Sequence, residues 1–170
     1  PEETIKDTMR AWRILESFVE EGIVKRIGIS NVYDHEEFLD FYELAKIKPQ
    51  IVQNHLDPDE DMDIEMREFC ESHGIWYQSF WTLTANEDNL ENPRVQEIAL
   101  SKGLTPETLM FAFLMSTGYA YPISGTTSQS HMLQDIAVME RMQGGEVFFR
   151  SEKERADVGK LLGFPEFDDN

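Results

Sequence analysis

Cysteine is nearly missing from these 170 residues, since Cys70 stands alone. A single thiol closes no internal disulfide, which excludes a small secreted scaffold stapled by bridges. Its neighbours Glu68, Phe69 and Glu71 include no base, so Cys70 reads as a small core residue rather than an activated nucleophile. Bases are scarce as well, 15 against 33 acids, for a net charge of −18. That surface repels phosphate backbones and anionic headgroups, so neither nucleic acid nor a membrane is an expected partner. It predicts a soluble, cytoplasmic protein. No apolar run approaches the roughly 20 residues needed to span a bilayer. The first residues, Pro-Glu-Glu-Thr-Ile-Lys-Asp, carry neither a basic region nor an apolar stretch, so no signal peptide is expected. A start at Pro1 without methionine suggests a processed, truncated or excerpted chain.

What is present is enough for a core: 41% of residues are hydrophobic and 11% aromatic. The length suits one domain of about 100–200 residues and falls short of the roughly 250 of an eightfold βα barrel. Ile5, Met9, Trp12, Leu15 and Val19 recur at helical spacing, with Gly22 as a stop. A short β-branched run, 23–30, predicts a strand. Asp34 and Glu37 have capping-box spacing ahead of Phe38, Phe41, Leu44 and Ala45. A second strand is expected at 50–54, a helix at 63–72 closed by Gly74, and a third strand at 75–80. Asn92-Pro93 and Thr105-Pro106 are helix starts. A fourth strand near 121–124 precedes a helix opening at Ser128, and Ser151 with Glu154 opens the last one. Strands alternating with helices predict βαβ units and a parallel sheet. Periodicity alone leaves open whether four such strands make an open sheet or half a barrel.

The ends of the strands carry a resemblance. Gly22-Ile23-Val24-Lys25-Arg26-Ile27-Gly28-Ile29-Ser30-Asn31 is similar to a "G-x-V-R-x-I-G-V-S-N" signature. Lys48-Pro49-Gln50-Ile51-Val52-Gln53-Asn54 resembles a "P-x-V-N-Q" strand, and Phe69-Cys70-Glu71-Ser72-His73-Gly74-Ile75 resembles "F-C-x-x-x-G-I". Ser79-Phe80-Trp81-Thr82-Leu83 stands where "A-Y-S-P-L" is common, and Pro122-Ile123-Ser124-Gly125-Thr126-Thr127 resembles a phosphate-side loop. Together, in this order, these stretches resemble the aldo-keto reductase family. The fold class implied is α/β: the C-terminal half of a (β/α)8 TIM barrel, four parallel strands alternating with helices, plus a C-terminal helix and tail. Residues 1–143 would be the partial barrel and 144–170 the helix and tail, with Phe164 and Phe167 covering the barrel mouth.

By resemblance, Ser30, Asn31 and Gln53 would hydrogen-bond a nicotinamide carboxamide, and Phe80 would stack on the ring. Ser124, Gly125, Thr126 and Thr127 would wrap phosphates, helped by the helix start that follows. His131, Gln134 and Asp135 fall at adenosine-side positions. Many members have Lys and, six residues on, Arg for the 2′-phosphate of NADP; here those positions are Gly125 and His131. The Gly-Thr-Thr form resembles the branch that includes potassium-channel β subunits, which has Gln, Glu and Asn where this chain has His131, Gln134 and Asp135. Family habit favours NADP (NADPH) over NAD. Without the resemblance, Ser30 and Asn31 would cap a turn, Gln53 would be a satisfied structural amide, and Phe80, Trp81 and Trp76 would be core or interface.

The resemblance also implies what is lacking. Members reduce carbonyls with an Asp, Tyr, Lys and His tetrad placed before the opening helix seen here. Tyr33, Tyr42, Tyr77, Tyr119 and Tyr121 match no catalytic tyrosine position, so no catalytic residue is assigned. The expected protein is an NADP-dependent oxidoreductase of aldo-keto reductase type, inactive alone. A small carbonyl substrate enters only if the missing half is supplied, by an N-terminal half or by self-association. A non-catalytic, reductase-like binding or regulatory subunit is the alternative, and a small open α/β domain a third reading. Asp57, Asp59, Asp61, Asp63, Glu65 and Glu68 approach the spacing of a calcium loop, but Met62 stands where that loop needs glycine and Pro58 interrupts its start. No metal is predicted.

Overall fold

The computed structural model describes residues 2–167. Strands β1 (Gly28–Ser30), β2 (Ile51–His55), β3 (Trp76–Phe80) and β4 (Ala120–Pro122) lie side by side in that order, and each neighbouring pair is parallel. Before and between them run α1 (Glu2–Glu20), α2 (His35–Leu44), α3 (Ile64–His73), α4 (Glu87–Glu91), α5 (Pro93–Ser101) and α6 (Pro106–Ser116). After β4 come α7 (Gln129–Gln143) and α8 (Glu152–Leu161). Among the described residues no helix is long and apolar enough to cross a membrane.

Successive strand residues point to opposite faces, and burial separates the two faces here. Val52, Asn54, Tyr77 and Ser79 are buried, whereas Ile51, Gln53, His55, Gln78 and Phe80 are half-buried and Trp76 is exposed. The deep face packs beneath Phe38, Met66, Cys70, Leu109, Met110 and Phe113, which come from α2, α3 and α6. Helices therefore cover one face. A doubly wound sheet needs them on both, while consecutive strands with an outer helical layer are successive βα units of a barrel. This arrangement decides what periodicity left open.

Burial also holds Cys70 inert: its thiol is pushed up to about 12, first by desolvation and then by the negative charge of Asp63. Gly28 is fixed by close approach, since a Cβ there would lie 2.5 Å from the carbonyl oxygen of Ile51.

Most helix starts fall where cap chemistry predicts. Asp34 accepts from the N–H of Glu37 at 2.9 Å, Asn92 from Arg94 at 2.9 Å, and Ser151 from Glu154 at 3.1 Å. Thr105 and Thr108 cap each other reciprocally. The carboxylate of Glu154 goes elsewhere than the expected box, to the N–H of Arg150 and the ammonium of Lys102.

Four expectations change. Strand β1 is three residues long rather than eight, and Ile23 is exposed. Extending the ladder backward would set it beside Pro49, which has no N–H to give; its last bond there is Gln50 N–H to the Ile27 carbonyl at 3.0 Å. In α1 the inward position belongs to Glu16, 3% exposed, not to Leu15, 36% exposed. Leu44, expected inside, is 54% exposed, and its carbonyl instead accepts from Arg13 at 2.8 Å. Phe164 and Phe167 do not cover the open end of the sheet. Phe164 is buried against Phe113, ring centroids 4.7 Å apart, and Glu166 forks onto Arg67 at 2.6 and 3.0 Å, between α3 and α6 in the helical layer.

Glu16 ties α1 to the chain entering β2. It accepts from the N–H groups of Lys46 and Ile47 at 2.7 and 2.9 Å and from Arg13 at 2.7 Å. Burial raises its pKa, but these donors outweigh burial and leave it below the ordinary value. Its stabilisation is therefore fully present above the unfolded carboxylate value of about 4.3 and is lost as pH falls through the lower folded one. Glu16→Gln is expected to cost about 2 kcal/mol at pH 7, with the gap to wild type closing in denaturant melts as the pH falls below about 4. At Gly159 a Cβ would collide with the rings of Phe167 and Phe113. Gly159→Ala should lower the unfolding midpoint by the equivalent of about 1–3 kcal/mol at unchanged denaturant slope.

Candidate functional site

The carboxyl ends of β1 to β4 form one rim. At its first part, Ser30 Oγ donates to the carbonyl of Gln53 at 2.7 Å, and Asn31 Nδ2 donates to Ser30 Oγ at 3.1 Å. Asn31 is left-handed, φ 59°, a conformation asparagine tolerates. Gln53 lies on the uncovered face and donates from Nε2 to Gln78 Oε1 at 2.9 Å. Tyr33 donates to Asn31 Oδ1 at 3.2 Å, and its ring sits 4.5 Å from that of His55. Ser30 and Asn31 line a hollow of about 270 Å³ with Ile29, Val32 and Tyr33.

Beneath this rim is a buried polar cluster. Asn54 accepts from the N–H of Val32 at 3.0 Å and donates to the Val32 carbonyl at 2.6 Å and to Asp63 Oδ2 at 2.9 Å. Tyr77 donates to the same Asp63 oxygen at 2.8 Å. Desolvation raises the pKa of Asp63 above the usual carboxylate value despite those two donors. Tyr77 is pushed well above the usual phenol value, by desolvation first and then by the Asp63 charge. Asn86 repeats the device one strand on, donating to the carbonyls of Leu56 and Thr82 at 2.9 and 3.0 Å.

Between the ends of β3 and β4 opens a cleft of about 720 Å³. Seven of the residues expected at the site line it: Phe80, Ser124, Gly125, Thr126, His131, Gln134 and Asp135. Thr127 is exposed beside it, while Ser30, Asn31 and Gln53 lie across the rim outside its lining. Ser124 Oγ donates to Asp135 Oδ2 at 2.6 Å. The Ser128 hydroxyl caps α7, and the Ser128 N–H donates to Thr126 Oγ1 at 3.1 Å. No hydrogen bond within the described chain engages the N–H groups of Ser124, Gly125, Thr126 or Thr127. The loop can therefore offer four donors to an anion.

Glu107, Thr105 and Phe111 also line the cleft, and the sequence reading missed them because α6 reads as plain core. Trp81, expected as core or interface, sits at the cleft left-handed, φ 55°, and is 64% exposed. No sequence signal marks that backbone for a tryptophan. The acidic loop 57–63 does not form a cation cage: Asp63 turns inward to Asn54, and among the described residues no three His, Cys, Asp or Glu side chains are grouped to hold a metal.

The Aldo/keto reductase family model matches residues 2–144. Aldose reductase B of Dictyostelium discoideum is 32% identical over 108 residues, 63% of this chain and 34% of that protein. The glycerol 2-dehydrogenase (NADP(+)) of Hypocrea jecorina is 29% identical over 126 residues, 69% of this chain and 39% of that one. Among solved structures, an aldo-keto reductase from a Medee basin deep-sea metagenome library superposes with a TM-score of 0.77 at 22% identity, covering 98% of this chain and 60% of its own. A mutant of Gox0644 in complex with NADPH superposes with a TM-score of 0.69 at 23% identity, covering 94% of this chain and 52% of its own. At such identities the structures establish the fold, a partial TIM barrel. The chain spans about a third to a half of the length of the curated relatives it matches. A family match over most of the chain, joined to one-faced βα units with their polar residues gathered on one rim, makes this chain a member of the aldo/keto reductase family.

Proposed function

We propose that this chain is the cofactor-side half of a nicotinamide-dinucleotide-dependent carbonyl oxidoreductase. The observation that carries this reading is the cleft at the ends of β3 and β4, lined by Phe80, Ser124 and Asp135 beside a loop with four unengaged N–H groups. These features fit the dinucleotide: an aromatic surface for a ring, a roomy loop for the pyrophosphate, and open space around Gly125. The cofactor, when bound, supplies a hydride to a carbonyl carbon. The chain's own residues bind and orient it. Ser30, Asn31 and Gln53 already hydrogen-bond among themselves or to Gln78, so each exchanges a partner when it takes a carboxamide. Such exchange fixes orientation at little net cost. The resemblance favours NADP, whereas the charge of the cleft argues the other way.

A proton must still reach the carbonyl oxygen. The hydroxyls of Tyr33, Tyr77 and Tyr119 are all held above the ordinary phenol value, with desolvation the largest cause. That is the wrong direction for a donor working near neutrality. We assign no catalytic residue here, and place the acid on an N-terminal half barrel that closes over the uncovered face. The net charge of −18 and the inert buried Cys70 accord with a cytoplasmic setting.

Titration of the folded chain with reduced dinucleotide, followed by nicotinamide fluorescence, should give saturable binding. Asn31→Ala or Gln53→Ala should weaken it about threefold to tenfold; absence of binding would remove the reading. Carbonyl reduction should be undetectable with this chain alone and should appear when an N-terminal half barrel carrying a tyrosine proton donor is added. Turnover by the chain alone would refute the division of labour.

A further inference from the structure

Resting on the dinucleotide reading, we infer that the charge around this cleft selects NAD(H) over NADP(H). The segments that leave the carboxyl ends of the strands, 31–34, 56–63, 81–92 and 123–128, together hold nine carboxylates and no lysine or arginine. The cleft lining repeats the bias, with Glu107 and Asp135 as acids, no Lys or Arg, and the imidazole of His131 as its one basic side chain. The cations nearest in sequence are used elsewhere. Arg67, which follows the acidic loop, forks onto Glu166 in the helical layer, and Arg94 pairs with Glu97 on the outside of α5.

The two cofactors share a pyrophosphate, which the four unengaged N–H groups of residues 124–127 and the start of the 15-residue α7 can serve. They differ in one group. A 2′-phosphate adds about 1.5 to 2 negative charges near neutrality, and this rim offers no fixed cation to meet them. A 2′-hydroxyl is a donor, and a carboxylate is the acceptor that reads it. Asp135 has that capacity: Oδ2 accepts from Ser124, while Oδ1 has no hydrogen-bond partner in the described chain. Within the cleft, the fixed charges that the extra phosphate meets are the carboxylates of Glu107 and Asp135.

Exposed charges act over about 10 Å at 0.1 M salt and about 3 Å at 1 M. The test is equilibrium titration of the 170-residue chain with NADH and NADPH, read by nicotinamide fluorescence, at about 0.02 M and about 0.5 M salt. NADH should bind about tenfold more tightly at low salt, with the gap narrowing at high salt as NADPH binding improves. In Glu107→Gln/Asp135→Asn, NADPH should tighten about fivefold while NADH weakens about threefold, its 2′-hydroxyl having lost a carboxylate acceptor. Glu97→Gln, outside the cleft, should alter neither. Far-UV circular dichroism checks that each variant is folded, and the wild-type salt dependence tests the inference without any variant. NADPH binding equal to or tighter than NADH at low salt would overturn the inference and leave the dinucleotide reading standing. Binding of neither by the folded chain would remove both.

Discussion

Asn54 is completely buried, and its amide uses both donors and its acceptor on protein partners: the N–H and carbonyl of Val32, and the carboxylate of Asp63. An unpaired amide at that depth would cost on the order of 1–3 kcal/mol, so the site tolerates few alternatives. The consequence is geometric. Val32 belongs to the loop after β1, Asp63 opens α3, and Tyr77 of β3 reaches the same carboxylate from the neighbouring strand. One side chain thereby sets the first two loops of the rim against the sheet. Asn86 does the same for the next pair, joining the Leu56 and Thr82 carbonyls. The residues proposed to touch a ligand sit above one of these ties, in the loop after β4, or on α7.

The alternation of the strand explains why adjacent residues divide the labour. Gln53 and Asn54 are sequence neighbours on opposite faces of β2, one toward the uncovered face and one toward the helices. Gln53 keeps its amide on Gln78 in the facing register position, a contact open to exchange. Asn54 is locked. A shift of one residue would put the rigid amide on the outside and the exchangeable one in the core.

Much of this was legible. Helix starts followed from single residues with a local mechanism, such as Asp34, Asn92 and Thr105, because a cap depends on the two or three residues after it. The strand-end positions followed from resemblance. What escaped depends on distant partners. Glu16 reads as a surface acid until the N–H groups of Lys46 and Ile47, thirty residues away, require an acceptor. The short β1 depends on Pro49, two residues before the partner strand begins. Asn54 looks like one more polar strand residue until Val32 and Asp63 are seen around it, and the left-handed Trp81 has no local signal at all.

The two faces of the sheet differ in completeness, and that difference bears on how half a barrel keeps a fold. The layer between sheet and helices is finished within this chain: Val52, Tyr77, Phe38, Leu109 and Phe113 are essentially inaccessible to water. The apolar burial that drives folding therefore needs no strand from outside. The opposite face is unfinished in a specific way. Trp76 is 39% exposed, yet Arg26 lies 4.2 Å over its ring and Tyr121 packs 5.5 Å away, so its apolar surface is partly shielded by a cation and a polar aromatic. Gln53 and Gln78 satisfy each other on the same face. Polar pairing of this kind lowers the cost of leaving the face wet. The outer layer accounts for why these residues fold, and the inner face for why the fold presents a surface that chemistry could still complete.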